Sequence, residues 1–211
     1  MTATKNLLFD LGGVLIDIDY NKTARAFKDL GIADFDKQFS QLTASTLFED
    51  LETGKISNGD FYRIMQTQTT SLYREDEIRR AWNTILLEFR TESLDALVEL
   101  SKHYRLFLLS NTNAIHIEEV NRILFRQTGQ SNLDHYFEKA YYSHLVGMRK
   151  PNEDIYRFVL EDAGVKAAET FFVDDTCLNI ETAARLGFKT HQLLPGEKIE
   201  HLDFQVAGKG V

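Results

Sequence analysis

Short apolar runs that end in polar clusters recur along this chain, separated by segments of helical pattern. Leu7-Leu8-Phe9 ends at Asp10 and Gly12-Gly13, and residues 104–109 end at Ser110-Asn111-Thr112-Asn113. Residues 138–142 form a third run, Thr170-Phe171-Phe172-Val173 ends at Asp174-Asp175, and residues 188–193 form a fifth. Near-continuous hydrophobicity over a strand's length marks strands buried on both faces. Residues 92–103, 114–127, 152–163 and 179–187 carry helical periodicity. Strands alternating with helices through short links predict a parallel sheet covered on both faces, an α/β fold of Rossmann-like form. In open sheets of this kind ligands bind beyond the carboxyl ends of the strands, where the polar clusters gather here.

Residues 19–90 interrupt the alternation. Their pattern is helical throughout, with Ala24, Phe27 and Leu30 on one stripe and Phe61, Ile64 and Met65 on another. Gly31 and Gly54 punctuate it, and Ser57-Asn58-Gly59-Asp60 has the spacing of a helix N-cap with an acid three residues on. The prediction is a sheet core from residues 1–18 and 91–211, with residues 19–90 inserted as a small α-helical cap domain. An insertion after the first strand sits over the sheet edge that binds ligands, where it gates or selects. The tail from Gly196 onward reads as frayed.

Composition excludes other classes. A single Cys, Cys177, rules out a disulfide framework or a Cys-rich zinc module. No apolar run approaches the roughly 18–20 residues of a membrane-spanning helix. The N-terminal residues lack the basic and apolar regions of a secretory signal, so the expected compartment is the cytoplasm. With 32 acidic against 24 basic side chains, the net charge of −8 argues against nucleic-acid partners. It also argues, at first sight, against any anionic substrate.

Four strand-end motifs carry chemistry. Asp10 on a strand tip followed by glycines leaves room for a ligand against the backbone. Ser110-Asn111-Thr112-Asn113 offers a hydroxyl, amides and backbone N–H groups. Lys150 precedes Pro151, and proline suits a first helical turn, which would put Lys150 near a positive helix N-terminus. Adjacent carboxylates Asp174 and Asp175, with Asn179 close behind, suit a hard cation such as Mg²⁺. Singly, each motif reads as an ordinary turn, cap or surface charge. Their shared place after predicted sheet strands is what makes them a constellation.

The motifs, in this order and over nearly the whole chain, resemble the haloacid dehalogenase superfamily of aspartate-nucleophile hydrolases. The stretches FDLGGVLIDID, LLSNTN, GMRKP and FVDD-T-C-L-N, with Gly54-Lys55-Ile56-Ser57 in the insertion, most resemble its α-D-glucose-1-phosphate phosphatase-like subgroup. The resemblance implies a Mg²⁺-dependent phosphatase acting on a small phosphorylated metabolite, with hexose phosphates among the candidates. It implies that Asp10 is the nucleophile, forming an aspartyl-phosphate, and that Asp10, the Gly12 carbonyl and Asp175 hold the metal. Asp174 and Asn179 would support the metal or its waters. Ser110, Asn111 and Lys150 would bind phosphate, Lys150 also neutralising Asp10. A phosphate dianion repels a carboxylate nucleophile, and a divalent cation with a lysine offsets that repulsion.

One position departs from the superfamily pattern. Two residues after the nucleophile, where an acid/base Asp is common, this chain has Gly12. General acid–base help contributes roughly 10²–10⁴-fold, and Asp17, at the entry to the insertion, is a candidate to supply it. Gly12 also keeps open a 2-haloacid dehalogenase, which lacks that Asp but needs no metal. A weakly catalytic module that binds a phosphometabolite is the remaining alternative. Elsewhere, Cys177 reads as a small packed residue, His116 as an exposed helix residue and Arg149 as a surface charge. Phe48, Glu49 and Glu52 are candidates to face the site from the insertion.

Overall fold

The structure is a computed structural model and describes residues 2–32, 34–39, 45–69 and 71–205. The strands are Asn6–Phe9 (β1), Ile16–Ile18 (β2), Leu86–Phe89 (β3), Arg105–Ser110 (β4), Lys139–Tyr142 (β5), Thr170–Asp174 (β6) and Lys189–Gln192 (β7). Among the described residues five of them form a parallel sheet in the order β5-β4-β1-β6-β7. From β1 the chain moves outward to β4 and β5, then returns to β6 on the other side. The reversal falls at β1, so the crevice beside its carboxyl end is the ligand position of this topology. These are the predicted runs, and the α/β expectation holds.

The pleat of the sheet sorts the apolar runs onto two faces. Leu7, Phe9, Leu106, Leu108, Phe171 and Val173 face one buried cluster. It is covered by Thr91–Leu100 (α6) and Ala114–Thr128 (α7), which contribute Leu94, Leu97, Val120, Ile123 and Leu124. The alternate residues Leu8, Phe107, Leu109 and Phe172 face a second cluster. It is covered by Glu153–Ala163 (α9) and Cys177–Arg185 (α10), which follow the short helix Ser143–Val146 (α8). Among the described residues no helix is long and apolar enough to cross a membrane.

Between β2 and β3 lie Tyr20–Asp29 (α1), Phe35–Gln38 (α2), Thr46–Glu52 (α3), Asn58–Gln68 (α4) and Glu75–Asn83 (α5). Their core is aromatic. Trp82 is fully buried and its ring lies 4.7–6.3 Å from those of Phe27, Phe35, Phe39, Phe48 and Phe61. The capping box at α4 forms as read: the Asp60 N–H donates to Ser57 Oγ at 3.1 Å, and the Ser57 N–H donates to Asp60 Oδ2. The helical reading of residues 19–90 fails at its end. Leu86–Phe89 is a strand, paired antiparallel with Ile16–Ile18, so the two chain crossings between the helices and the sheet hold each other.

The tail is not frayed through residue 205. After a short 3₁₀ turn at Ile199–His201, Phe204 packs edge-on against Phe9 and Phe171, with ring centroids 6.0 and 5.4 Å away. The final residues, 206–211, lie outside the described ones. Replacing a buried Phe by Ala costs about 3 kcal/mol or more. Phe204→Ala is therefore expected to lower the urea midpoint by that equivalent, and an unchanged midpoint would mean the tail is not part of the core.

Candidate active site

Parallel register brings the strand tips together. Phe9 stands beside Leu108 on one side and Val173 on the other, and the Asp10 N–H continues the ladder to the Val173 carbonyl at 2.9 Å. Asp10, Ser110 and Asp174 thus arrive at one edge. A cavity of about 430 Å³ opens over this edge, with Asp10, Gly12, Ser110, Lys150 and Asp175 at its polar end. Its opposite wall comes from α1, α3 and the segment around β3.

Lys150 organises the polar end. It is 1% exposed, and its Nζ lies 2.8 Å from Asp10 Oδ1 and 2.6 Å from Asp174 Oδ2. Burial alone would lower the pKa of this ammonium, but Asp10 and Asp174 outweigh it and raise it. Asn111, expected to bind phosphate, has its side chain committed elsewhere. Its Nδ2 donates to the Lys150 carbonyl and its Oδ1 accepts the Lys150 N–H, both at 2.9 Å. The amide thus clamps the lysine's backbone, which leaves Ser110 and backbone N–H groups on this strand tip for an anion. Pro151 lies before the first helical turn rather than in it: after a cis peptide bond, Asn152 caps α9, which begins at Glu153, and Lys150 stands two residues ahead of that cap.

The carboxylates divide by surroundings. Asp174 is fully buried and saturated: it accepts from Lys150 Nζ, from Asn179 Nδ2 at 3.0 Å and from the Thr176 N–H at 2.8 Å. Asn179, expected to support the metal or its waters, fixes Asp174. Burial raises the pKa of Asp10 above the usual carboxylate range, Lys150 opposes this, and Asp174 and Asp175 add to it. Burial and Asp174 raise Asp175 as well. One oxygen from each of Asp10, Asp174 and Asp175 lies within 4.8 Å of the others. Three carboxylates against one ammonium leave two negative charges, the complement of one divalent cation. Gly13 closes the site over Asp175: its φ is +74°, and a Cβ there would overlap the Asp175 carboxylate.

Asp17 is not brought to this edge. Its Oδ1 is held by Arg90 Nε at 2.8 Å and Nη2 at 2.7 Å, while Arg90 Nη1 donates to the Val14 carbonyl. It braces the β2–β3 crossing, and Asp19 caps α1. Cys177 is exposed rather than packed, and the neighbouring Glu181 carboxylate raises its pKa away from reactivity.

Three other residues differ from their sequence reading. His116 is buried, stacked on Trp82 at 4.5 Å, with Nε2 3.3 Å from the Trp82 carbonyl. Burial lowers its pKa to about 4, so it is neutral at pH 7. The signal was present: His116, Val120 and Ile123 fall on the apolar stripe of α7. Arg149 is no free surface charge. Its Nη1 bonds Glu49 Oε1 at 2.8 Å and its Nη2 lies 3.0 Å from Glu52 Oε2. These three line the cavity across from Asp10, whereas Phe48 is buried in the helical core. Nothing local in the sequence marks a pairing across 100 residues.

Comparison with known proteins agrees with this geometry. The sequence model of the haloacid dehalogenase-like hydrolases matches residues 4–187. The chain is 36% identical over 188 residues to a D-ribitol-5-phosphate phosphatase of Bacteroides thetaiotaomicron, covering 89% of this chain and 91% of that one. It is 28% identical to the sesquiterpene phosphatase astK of Aspergillus oryzae, over 88% of each chain. A HAD family enzyme of B. thetaiotaomicron, solved with magnesium and inorganic phosphate, superposes with a TM-score of 0.86 at 36% identity, covering 94% of this chain and 98% of that one.

The closure of Gly13 over Asp175 has a measurable consequence. A non-glycine residue at positive φ costs about 1–3 kcal/mol, and the added methyl displaces a carboxylate. Gly13→Ala is expected to fold with reduced stability and to weaken Mg²⁺ binding, followed by calorimetric titration, at least tenfold. Unchanged Mg²⁺ affinity would remove Asp175 from the cation site.

Proposed function

The chain belongs to the haloacid dehalogenase-like hydrolases, and from that membership we propose that it is a Mg²⁺-dependent phosphatase working through an aspartyl-phosphate on Asp10. It is a phosphoric monoester hydrolase acting on a small phosphorylated metabolite. The observation that carries the reading is Lys150 buried between Asp10 and Asp174, with Asp175 beside them. The donor set fits Mg²⁺: hard oxygens, a charge deficit of two, and Asp174 already saturated by protein donors. Asp10, Asp175 and the Gly12 carbonyl would hold the ion. When bound, it neutralises the carboxylates and the equatorial phosphoryl oxygens.

The residues then act in sequence. Ser110 Oγ, the backbone N–H groups beside it and Lys150 Nζ hold the phosphoryl oxygens. An Asp10 oxygen attacks phosphorus, and the bond to the substrate's ester oxygen breaks, giving the aspartyl-phosphate and an alkoxide that takes a proton from solvent water to leave as the alcohol. Water then attacks that phosphorus and gives up a proton to solvent, returning the Asp10 carboxylate and inorganic phosphate. Lys150 opposes the effect of burial on Asp10 and holds its carboxylate in place for the attack. Asp17 takes no part, because Arg90 holds it.

Residues 19–90 serve as the cap over a core of residues 1–18 and 91–211, with the β2–β3 pairing as the double hinge. Relatives acting on a pentitol phosphate and on a sesquiterpene phosphate bracket the substrate range, and hexose phosphates fall within the same size. Phosphorylated metabolites are retained by their charge where they are made, which fits a cytoplasmic setting. A dehalogenase would have no use for the cation cluster at Asp10, Asp174 and Asp175.

Phosphate release from a panel of sugar, polyol and prenyl phosphates with Mg²⁺ tests this reading. Activity is expected on at least one member, falling to background with EDTA and in Asp10→Asn. Turnover that survives Asp10→Asn, or metal-independent chloride release from chloroacetate, would overturn it.

A further inference from the structure

The phosphatase mechanism uses one end of the cavity and leaves its far wall without a task. Its lining there combines apolar Ile18, Phe39, Ile85 and Leu86 with the charged Glu49, Glu52 and Arg149. Glu52 is 7% exposed, on the buried face of α3 that also carries Phe48 and Leu51. A carboxylate so placed is costly unless fully partnered. Its partner does not satisfy it. Arg149 Nη2 stands 3.0 Å from Glu52 Oε2, but neither Glu52 Oε2 nor Arg149 Nε has an aligned hydrogen bond, and both atoms are buried. The guanidinium is aligned on Glu49 instead, through Nη1 at 2.8 Å.

A latch between the helical insertion and the loop before Lys150 therefore needs only Glu49 and Arg149. Glu52 adds a buried charge to that latch without completing it. What Glu52 adds to the cavity is acceptor capacity beside the apolar side chains of its lining. A substrate hydroxyl donates to such a group, whereas an alkyl or prenyl chain leaves it unpaired.

We propose that Glu52, oriented by Arg149, accepts a hydrogen bond from a substrate hydroxyl, so that the cavity selects phosphomonoesters of polyhydroxylated chains over those of hydrocarbon chains. The proposal rests on the phosphatase reading of the same cavity. A volume of about 430 Å³ suits a molecule of sugar or polyol size. Glu52 is a specificity residue in this account and touches neither the phosphoryl group nor the cation.

The test compares kcat/KM for a pentitol 5-phosphate and for n-pentyl phosphate, which has the same carbon chain without the hydroxyls. The wild type is expected to favour the pentitol ester. Glu52→Leu is expected to reduce that preference about 10- to 100-fold, chiefly through KM for the pentitol ester, with n-pentyl phosphate unchanged or improved. Glu52→Gln retains an acceptor oxygen and is expected to keep most of the preference, which guards against a folding defect in the leucine variant. Equal losses on both esters in Glu52→Leu, or a wild type indifferent to the hydroxyls, would overturn the proposal while leaving the phosphatase intact. A wild type that releases phosphate from no ester in the panel would instead overturn the phosphatase reading, and this inference with it.

Discussion

A lysine with 1% of its surface exposed, bridging two carboxylates, is the interaction on which the site depends. Each of these ions would cost several kcal/mol to bury alone, and removing one partner of such a group is strongly destabilising. The surrounding sequence supports the bridge. Asn111 fixes the backbone of Lys150, while Asn179 and the Thr176 N–H fix Asp174. The parallel register of β1 with β4 and β6 sets the carboxylates at one height. Much of the polar loop chemistry thus positions a single ammonium, which in turn aims the Asp10 carboxylate into the cavity.

The same cluster resolves the apparent conflict between a net charge of −8 and an anionic substrate. Charge spread over a surface is screened within about 10 Å at ordinary ionic strength. Inside the cavity the relevant charges are those of Asp10, Asp174, Asp175 and Lys150, and a divalent cation brings their sum to zero. A phosphate ester then meets the ion and the ammonium before it meets the chain's average charge. Gly13 supplies the space for that arrangement by passing directly over Asp175.

Features set by local pattern were legible in the sequence, and features set by distant partners were not. The sheet strands and the helices on its faces follow from hydrophobic period, and the strand tips predicted where Asp10, Ser110 and Asp174 gather. The strand at Leu86–Phe89 was absorbed into the helical reading because its apolar run follows directly on Trp82 and the stripe of α5. Only pairing with Ile16–Ile18, some 70 residues earlier, makes it a strand. Asp17 is held by Arg90 rather than free for proton transfer, and the Asn111 side chain is bonded to the Lys150 backbone. Arg149, Glu49 and Glu52 carry no sequence signal as a group, since the charges come from α3 and from the distant loop before Lys150. In each case the residue type was read correctly and its partner was not.

The central claim is that the Asp10 carboxylate, held by Lys150, becomes covalently phosphorylated. Rapid-quench trapping of the enzyme during turnover with a phosphate ester and Mg²⁺, followed by peptide mass spectrometry, measures this directly. An acid-stable, hydroxylamine-sensitive phosphoryl group is expected on the peptide carrying Asp10, formed and lost at rates that match turnover. Phosphorylation at another residue, or steady turnover with a demonstrated single in-line displacement by water at phosphorus, would contradict it.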